Sequence, residues 1–373
     1  MLAALSRSHI ASAGRLGSGP ALGPQGPRAA YGEAAAMTGV LVMGAGAVGC
    51  FVGGLTQLAG VPVHFVGRPR VLAGLRKNGL RLSDQDGLDR HVSALELRLH
   101  EQPPAGLKPD LVLLCVKSGA TAEAATTLGL TLPAGTPVIS LQNGIANAEL
   151  ARATAPVLRW HAGMVPFNIA ELAPGHYHRG TGGALAAEGG ADDTALAAWQ
   201  TALDRVGMRL KLHADLAPVQ WGKLLLNLNN PVNALSGRPL RDELLQRGYR
   251  RVLAALQQEA LDLLDAAQRP VAQLTPLPPR RLLRLLRMPN FVFRLAAARM
   301  LRIDAHARSS MADDLAAGRT TEIDALCGEV VRLAKSLQLT APLNARMQLL
   351  VEAQPKRRRP YSPDELLQTL GLS

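Results

Sequence analysis

The chain has 373 residues, 47% of them hydrophobic, which is long enough for two domains and apolar enough to give each a core. Aromatic residues supply only 3%, so those cores must be built from Leu, Val and Ala. A formal charge of +12 favours anionic partners such as a nucleotide or a small carboxylate; the arginines are dispersed through Leu/Ala-rich stretches, not gathered with aromatics, which argues against nucleic acid.

Residues 1–36 are rich in Ala, Gly, Ser and Pro and carry Arg7, Arg15 and Arg28 against a single acid, Glu33. That is transit-peptide composition. The favoured alternative is a start placed too far upstream, because Met37 stands immediately before the first strand-like run. That run, Val40-Leu41-Val42-Met43, leads directly into Gly44-Ala45-Gly46-Ala47-Val48-Gly49. This is the G-x-G-x-x-G pattern of a dinucleotide site in its expected setting of strand, tight turn and helix. The first glycine permits the turn, the second lets the backbone approach a pyrophosphate, and the third lets helix pack on strand. The phosphates would sit on the N–H groups and positive dipole end of a helix N-terminus.

The segment 40–66 has no Asp, Glu, Lys or Arg. A membrane span is rejected because glycines recur in it, Thr56 and Gln57 interrupt it, and Pro62 ends it. A buried strand–helix–strand unit accounts for the same apolarity, with the second strand at 62–66. Sites for NAD place an acid after that strand. Here the chain reads Gly67-Arg68-Pro69-Arg70, and an arginine there suits a 2′-phosphate, which favours NADP(H). Arg68 is the better placed of the two; the alternative is that both are solvated loop cations.

Further along, 72–82 reads as a short helix and strand and 83–106 as irregular or edge strands. The run 111–116 reads as a buried parallel strand ending in Lys117-Ser118. Helices at 120–128 and 148–153 flank a strand at 137–141 that ends in Gln142-Asn143-Gly144. Strands alternating with helices imply a doubly wound parallel α/β sheet, whose ligands lie outside the carboxyl ends of the strands. Lys117 and Asn143 fall there. Short strands and a helix at 194–206 complete a Rossmann-like domain over 37–213. From 214 to 373 helical periodicity dominates, with helices at 216–228, 240–267, 280–301, 305–317 and 321–337, which makes an all-α domain. The cleft between the two is the expected active site.

Two basic stretches have bland readings. Arginines among leucines at 280–302 could mark a membrane-surface helix but fit a packed helix with snorkelling side chains better. The run Lys356-Arg357-Arg358-Arg359 reads as a solvated turn, followed by an N-cap at Ser362, Pro363 at the first helical position and two acids. Cys50, Cys115 and Cys327 lack metal-ligand spacing, and their odd number reads as reduced thiols of a cytoplasmic protein. No bound metal and no membrane partner are expected.

Lys223, Asn227 and Asn230 fall at i, i+4 and i+7 of a leucine-rich helix, on one face. A lysine and amides there are costly to bury without partners and unlike the charged residues of the chain's surface helices, so a polar site facing the cleft is expected. Gly318 would end one helix and Thr320 or Thr321 cap the next, with Glu322 in its first turn, either as a routine capping acid or as a site residue.

In GAGAVG at 44–49, CVKS at 115–118, LQNGI at 141–145, WGKLLLNLNNPVNALSG at 221–237 and SSMADDLAAGRTTEID at 309–324, taken in order, the chain resembles the ketopantoate reductase family. The resemblance covers 37 to about 347. It implies a Rossmann domain followed by an all-helical domain and NADPH-dependent reduction of 2-dehydropantoate to pantoate in the pantothenate pathway. It assigns the pyrophosphate to Gly44, Ala45, Gly46, Ala47, Val48 and Gly49. Lys117 and Asn143 would contact the cofactor, with Asn143 also near the substrate. Lys223 matches the proton donor, Asn227, Asn230 and Ser310 the substrate-binding positions, and Glu322 a glutamate near both ligands. The segment before Asn230-Pro231 is shorter than the commonest family pattern. Leu240 stands where some members have asparagine, and Cys327 where asparagine is common. Another 2-oxo acid or an imine as substrate, a non-catalytic NADPH-binding regulator, and a homodimer stay open as alternatives.

Overall fold

The computed structural model describes residues 37–190, 192–298, 301 and 307–372; the expectation for 1–36 falls outside them. The charge-free segment folds as β1 (Val40–Met43), α1 (Ala47–Leu58) and β2 (Val63–Val66), with Val40, Leu41, Val42 and Phe65 wholly buried. Among the described residues no helix is long and apolar enough to cross a membrane. Next come α2 (Pro69–Asn78), β3 (Leu80–Asp84), β4 (Asp89–Val92) and β5 (Arg98–His100). The alternation resumes with β6 (Leu111–Leu114), α3 (Thr121–Thr131), β7 (Pro137–Ser140), α4 (Asn147–Thr154) and β8 (Arg159–Met164). The sheet half ends with β9 (Ile169–Ala173), β10 (His176–Arg179), β11 (Leu185–Glu188), α5 (Thr194–Arg205) and β12 (Leu210–His213).

The main sheet has the order β12-β11-β8-β7-β6-β1-β2-β5. Its strands from β5 to β8 are parallel and follow the 3-2-1-4-5-6 order of a doubly wound dinucleotide fold. The order reverses beside β1, so the loops after β1, β6 and β7 open on one crevice. The segment 83–106 does more than supply edges. The hairpin β3–β4 joins β10 and β9 in a second sheet, order β4-β3-β10-β9, whose buried face of Leu80, Leu82, Val92 and Tyr177 packs on α1. The pairing of β3 with β10 is long-range, and no local pattern announces it.

The helical half comprises α6 (Ala217–Asn227), α7 (Asn229–Ser236), α8 (Leu240–Leu244), α9 (Arg247–Ala266), α10 (Pro279–Arg287), α11 (Asn290–Ala296), α12 (Ser310–Ala316), a π-turn at Asp324–Gly328, α13 (Glu329–Ser336), α14 (Pro342–Arg357) and α15 (Pro363–Leu370). α9 is its axis, with Val252, Leu253, Leu256, Ala260 and Leu264 fully buried.

Several helices differ in extent from expectation. The 240–267 stretch divides into α8 and α9. The 280–301 stretch divides at Met288, whose extended backbone precedes Pro289. The stretch at 321–337 begins only at Asp324, so Glu322 lies ahead of the helical turns and not in a first turn. At 305–317 only 310–316 is helical among the described residues. In α10 the leucines at 282, 283, 285 and 286 are buried and Arg281, Arg284 and Arg287 line the exposed face, as expected of a packed amphipathic helix. The basic run 356–359 is not a free solvated turn: Arg357 lies 3.6 Å over the Tyr361 ring, and both Arg357 and Arg359 pair with Glu365. Ser362 accepts the Glu365 N–H as the expected N-cap of α15. The three cysteines are free thiols, and burial pushes each pKa up.

Candidate active site

The glycine turn is explained residue by residue. Gly44 has φ +110°, and a Cβ there would lie 2.6 Å from the Val116 nitrogen on the neighbouring β6 loop. A Cβ on Gly49 would run into the Gly44 carbonyl oxygen and the Val42 side chain. Gly46, the N-cap of α1, would meet nothing within 4 Å. Protein packing therefore requires the first and third glycines, and only something arriving from outside can require the second. The first-turn N–H groups of Ala47, Val48 and Gly49 have no intrahelical acceptor and no acidic side chain caps them, which leaves a cradle for an anion.

At the end of β2, Arg68 is exposed, and its guanidinium has no hydrogen bond or ion pair among the described residues. Arg70 lies 3.8 Å from Glu171 of β9. Of the two cations, Arg68 is the uncommitted one beside the nucleotide crevice.

Lys223 stands on α6, beside Gly222, whose Cβ would collide with the Ala272 carbonyl oxygen at 2.6 Å. The close-packed backbone aims the half-buried lysine at the sheet half. There its Nζ donates to Asn143 Oδ1 at 2.8 Å. Asn143 follows β7, and its Nδ2 donates to Glu322 Oε2 at 2.9 Å. Glu322 Oε1 in turn accepts from the Ser118 backbone N–H at 3.3 Å and from Ser118 Oγ at 3.2 Å. Asn143 is also fixed from behind: its carbonyl accepts from Asn147 Nδ2 at 2.6 Å and from Ser118 Oγ at 3.1 Å. Gly144, at φ +94°, lets this loop approach the π-turn, where a Cβ would stand 3.0 Å from the Ala325 carbonyl oxygen. Burial lowers the Lys223 ammonium to about 8, and the Glu322 charge partly opposes that fall. The Glu322 carboxylate thus bonds across to Ser118 and Asn143 of the sheet half.

The helix carrying Lys223 does not run on unbroken to Asn230. Pro231 has no N–H for the Asn227 carbonyl, and the ladder interrupts at Leu228 before α7 begins. Asn227 and Asn230 are both half-buried, on successive helices, and neither side chain bonds to a described residue. Their neighbours Asn229 and Asn233 are buried and bond to Glu243. Ser309, not Ser310, caps α12 by accepting the Ala312 N–H at 3.1 Å, and the Ser310 hydroxyl is exposed and bonds to no described residue. Lys117 reaches across to the helical half, where its Nζ meets Asp314 Oδ2 at 2.6 Å and the Thr320 carbonyl at 3.1 Å. Among the described residues no cluster of three or more His, Cys, Asp or Glu could hold a metal ion.

Sequence reasoning passed over Ser118, Asn147, Asp314 and Glu243. Ser118 and Asp314 lay inside segments already singled out, but only the fold shows which side chains meet across it. Asn147 and Glu243 carry no local signal.

A doubly wound sheet with this glycine turn, facing a half-buried ammonium across a crevice, defines a two-part oxidoreductase of the dinucleotide-binding class. A family model described as "Ketopantoate reductase PanE/ApbA" matches residues 40–190, and its C-terminal counterpart matches 215–354. The chain belongs to the ketopantoate reductase family. It is 27% identical to a 2-dehydropantoate 2-reductase of Halobacterium salinarum, with 82% of this chain and 94% of that protein covered. A 2-dehydropantoate 2-reductase of Archaeoglobus fulgidus is 29% identical over 84% of this chain and 96% of its own length. The crystal structure of a PanE/ApbA family ketopantoate reductase from Ralstonia eutropha superposes with a TM-score of 0.72 at 28% identity, covering 86% of this chain and 99% of that one.

Proposed function

We propose that the protein reduces 2-dehydropantoate to pantoate with NADPH, and that Lys223 is the proton donor. The observation that carries this reading is the chain from Lys223 through Asn143 to Glu322, which holds a half-buried ammonium at the carboxyl ends of β6 and β7. Bound NADPH would supply the hydride. The residues fit such a cofactor: Gly46 leaves room at the α1 N-terminus, the first-turn N–H groups would take the pyrophosphate, and Arg68 would take the 2′-phosphate.

The rest of the reaction falls to side chains. As negative charge grows on the substrate carbonyl oxygen, the Lys223 ammonium stabilises it and then donates its proton there. An ammonium whose pKa has fallen to about 8 is still mostly charged at neutral pH and gives up a proton more readily than an ordinary lysine. Asn143 Oδ1 fixes the direction of Nζ, and Glu322 steadies Asn143 while its charge supports the ammonium. Asn227, Asn230 and Ser310, without side-chain partners among the described residues, orient the substrate carboxylate and hydroxyl. Lys117 would approach the cofactor from its place beside Asp314.

The test is NADPH oxidation against a panel of 2-oxo acids that includes 2-dehydropantoate, with NADH as control. Turnover by wild type and a loss of roughly 10²- to 10⁴-fold in Lys223→Ala, with NADPH binding retained, are expected. Near-wild-type turnover by Lys223→Ala would remove the proton-donor role. The panel is broad because reduction of another 2-oxo acid on the same fold is the second reading.

A further inference from the structure

Building on the reading that Asn230 and Ser310 face the substrate, we propose that Glu243 is a positioning residue: as a neutral carboxylic acid it locks α7 and, through it, the start of α12. Glu243 lies on α8 with 0% exposure. Its Oε2 accepts from Asn229 Nδ2 at 3.1 Å and from Asn233 Nδ2 at 3.2 Å. Its Oε1 and Asn229 Oδ1 are both buried and both without a partner. Two orphaned oxygens on groups already bonded to each other are costly, and a proton on Oε1 would relieve that cost. Donated to Asn229 Oδ1, that proton would add a second bond to the one Asn229 Nδ2 already gives Oε2.

Among the described residues no cation pairs with Glu243, and the charged and titratable groups nearest it have other partners. Arg250, on α9, donates to the carbonyls of Leu244, Leu286 and Met288 and to Asn290. Tyr249, also on α9, donates its hydroxyl to the Tyr361 carbonyl. Arg238, in the turn between α7 and α8, forms no ion pair with Glu243, although its carbonyl accepts from Asn233 Nδ2 at 2.9 Å. Burial accordingly pushes the Glu243 carboxyl up to about 8, against the pull of the two asparagine bonds.

The lock reaches the site in two short steps. Asn229 is the residue before Asn230. Asn233 Oδ1 accepts the Ser309 N–H at 2.9 Å, and Ser309 Oγ donates to the Asn230 carbonyl at 3.3 Å while capping α12, whose first residue is Ser310. One acid therefore sets the relative placement of two candidate substrate contacts on different helices.

Two variants and two readouts test this. Glu243→Gln cannot ionise and reproduces the neutral acid's pattern of one acceptor and one donor. Glu243→Leu removes both. At pH 7 the Gln variant is expected to keep the wild-type KM for the oxo acid, and the Leu variant to raise that KM by roughly 3- to 30-fold, the scale of one lost hydrogen bond, with the KM for NADPH unchanged. Above pH 8 the wild-type KM should climb away from that of the Gln variant, a difference that cancels the titration of Lys223 common to both. Independently of activity, the raised pKa makes the native state hold a proton the unfolded chain loses near pH 4.3. The wild-type Tm should therefore fall relative to that of Glu243→Gln from about pH 4.5 to about pH 8 and level off above it. A Gln variant as impaired as the Leu variant at pH 7, a Leu variant with wild-type oxo acid KM, or a Tm difference that does not vary with pH overturns the proposal. A wild type that reduces no 2-oxo acid defeats the functional reading and its link to Glu243, while the melting comparison still reports whether the acid is protonated.

Discussion

As the proposed proton donor, Lys223 would carry two requirements that pull against each other: charge to stabilise an oxyanion and enough lability to release a proton. Burial supplies the lability and Glu322, through Asn143, limits how far the pKa drops. Reduction needs the protonated form, so the rate should hold below about pH 8 and fall above it as the ammonium deprotonates. Replacing Glu322 by Gln removes the charge that opposes desolvation, so the Lys223 pKa drops further and the alkaline limb of the kcat profile moves to lower pH; an unmoved limb would dissociate Glu322 from the lysine. Arg68 makes a separate claim. Without a partner among the described residues, it would be available to the proposed cofactor's 2′-phosphate, whereas Arg70 is drawn toward Glu171. Arg68→Ala should weaken NADPH about 10- to 150-fold, on the scale of a charge-assisted hydrogen bond, and leave NADH nearly unaffected. Arg70→Ala should do neither. Lys223 and Arg68 could be singled out from the sequence because each breaks a local rule, a lysine among leucines and a cation where an acid is usual. Ser118 and Glu243 break none, and their roles arise from partners far away in the chain.

Elements that form from local signals were legible, and elements that depend on distant partners were not. β1, α1 and β2 follow from one glycine pattern between two apolar runs, and the parallel strands β6 and β7 follow from continuous burial. The second sheet was overlooked because β3 finds its partner in β10, long after the hairpin has been made. The break between α6 and α7 was in plain view as Asn-Asn-Pro, but leucine periodicity continues through it and hides it. The α1 N-terminus gives the sharpest prediction at this scale, since its glycines serve different masters. Gly49→Ala places a methyl against the Gly44 carbonyl and should lower Tm along with cofactor binding. Gly46→Ala meets no protein atom and should leave Tm unchanged while weakening NADPH. Calorimetric Tm and fluorescence titration of NADPH on the two variants separate packing from ligand approach; a Gly46→Ala protein that binds NADPH normally would show that no ligand comes close there.

At the scale of the whole molecule, the sheet and helical halves each own a hydrophobic core, and their polar cross-links concentrate at the crevice. Asp314 holds Lys117; Glu322 holds Ser118 and Asn143; Glu329 Oε1 accepts the Ala146 N–H at 3.2 Å. The Lys117 side chain is 45% exposed, so its ion pair is worth at most about 1 kcal/mol alone. The more buried Glu322 contacts add about 1 kcal/mol per hydrogen bond. The sum is a few kcal/mol, enough to make two halves melt as one unit and small enough to be removed without destroying either core. This coupling has a functional consequence. A ligand at 100 times its Kd stabilises the fold it binds by about 2.7 kcal/mol, and NADPH, if held by the sheet half as proposed, can pass that stabilisation to the helical half through such links or through the apolar cluster of Ala148, Ala162, Met164, Ala186, Leu216 and Val219. Wild type should therefore show one calorimetric transition that moves upward as a whole with NADPH. In the Asp314→Asn, Glu322→Gln double variant the transition should split, and NADPH should raise only the component that belongs to the sheet half. Trp221 on α6 reports on the helical half and Trp160 on β8 and Trp199 on α5 on the sheet half, which lets fluorescence assign the two components. A double variant that still melts in a single NADPH-responsive step would mean that the apolar contacts between the halves, and not the crevice carboxylates, join nucleotide binding to the helices that carry Lys223.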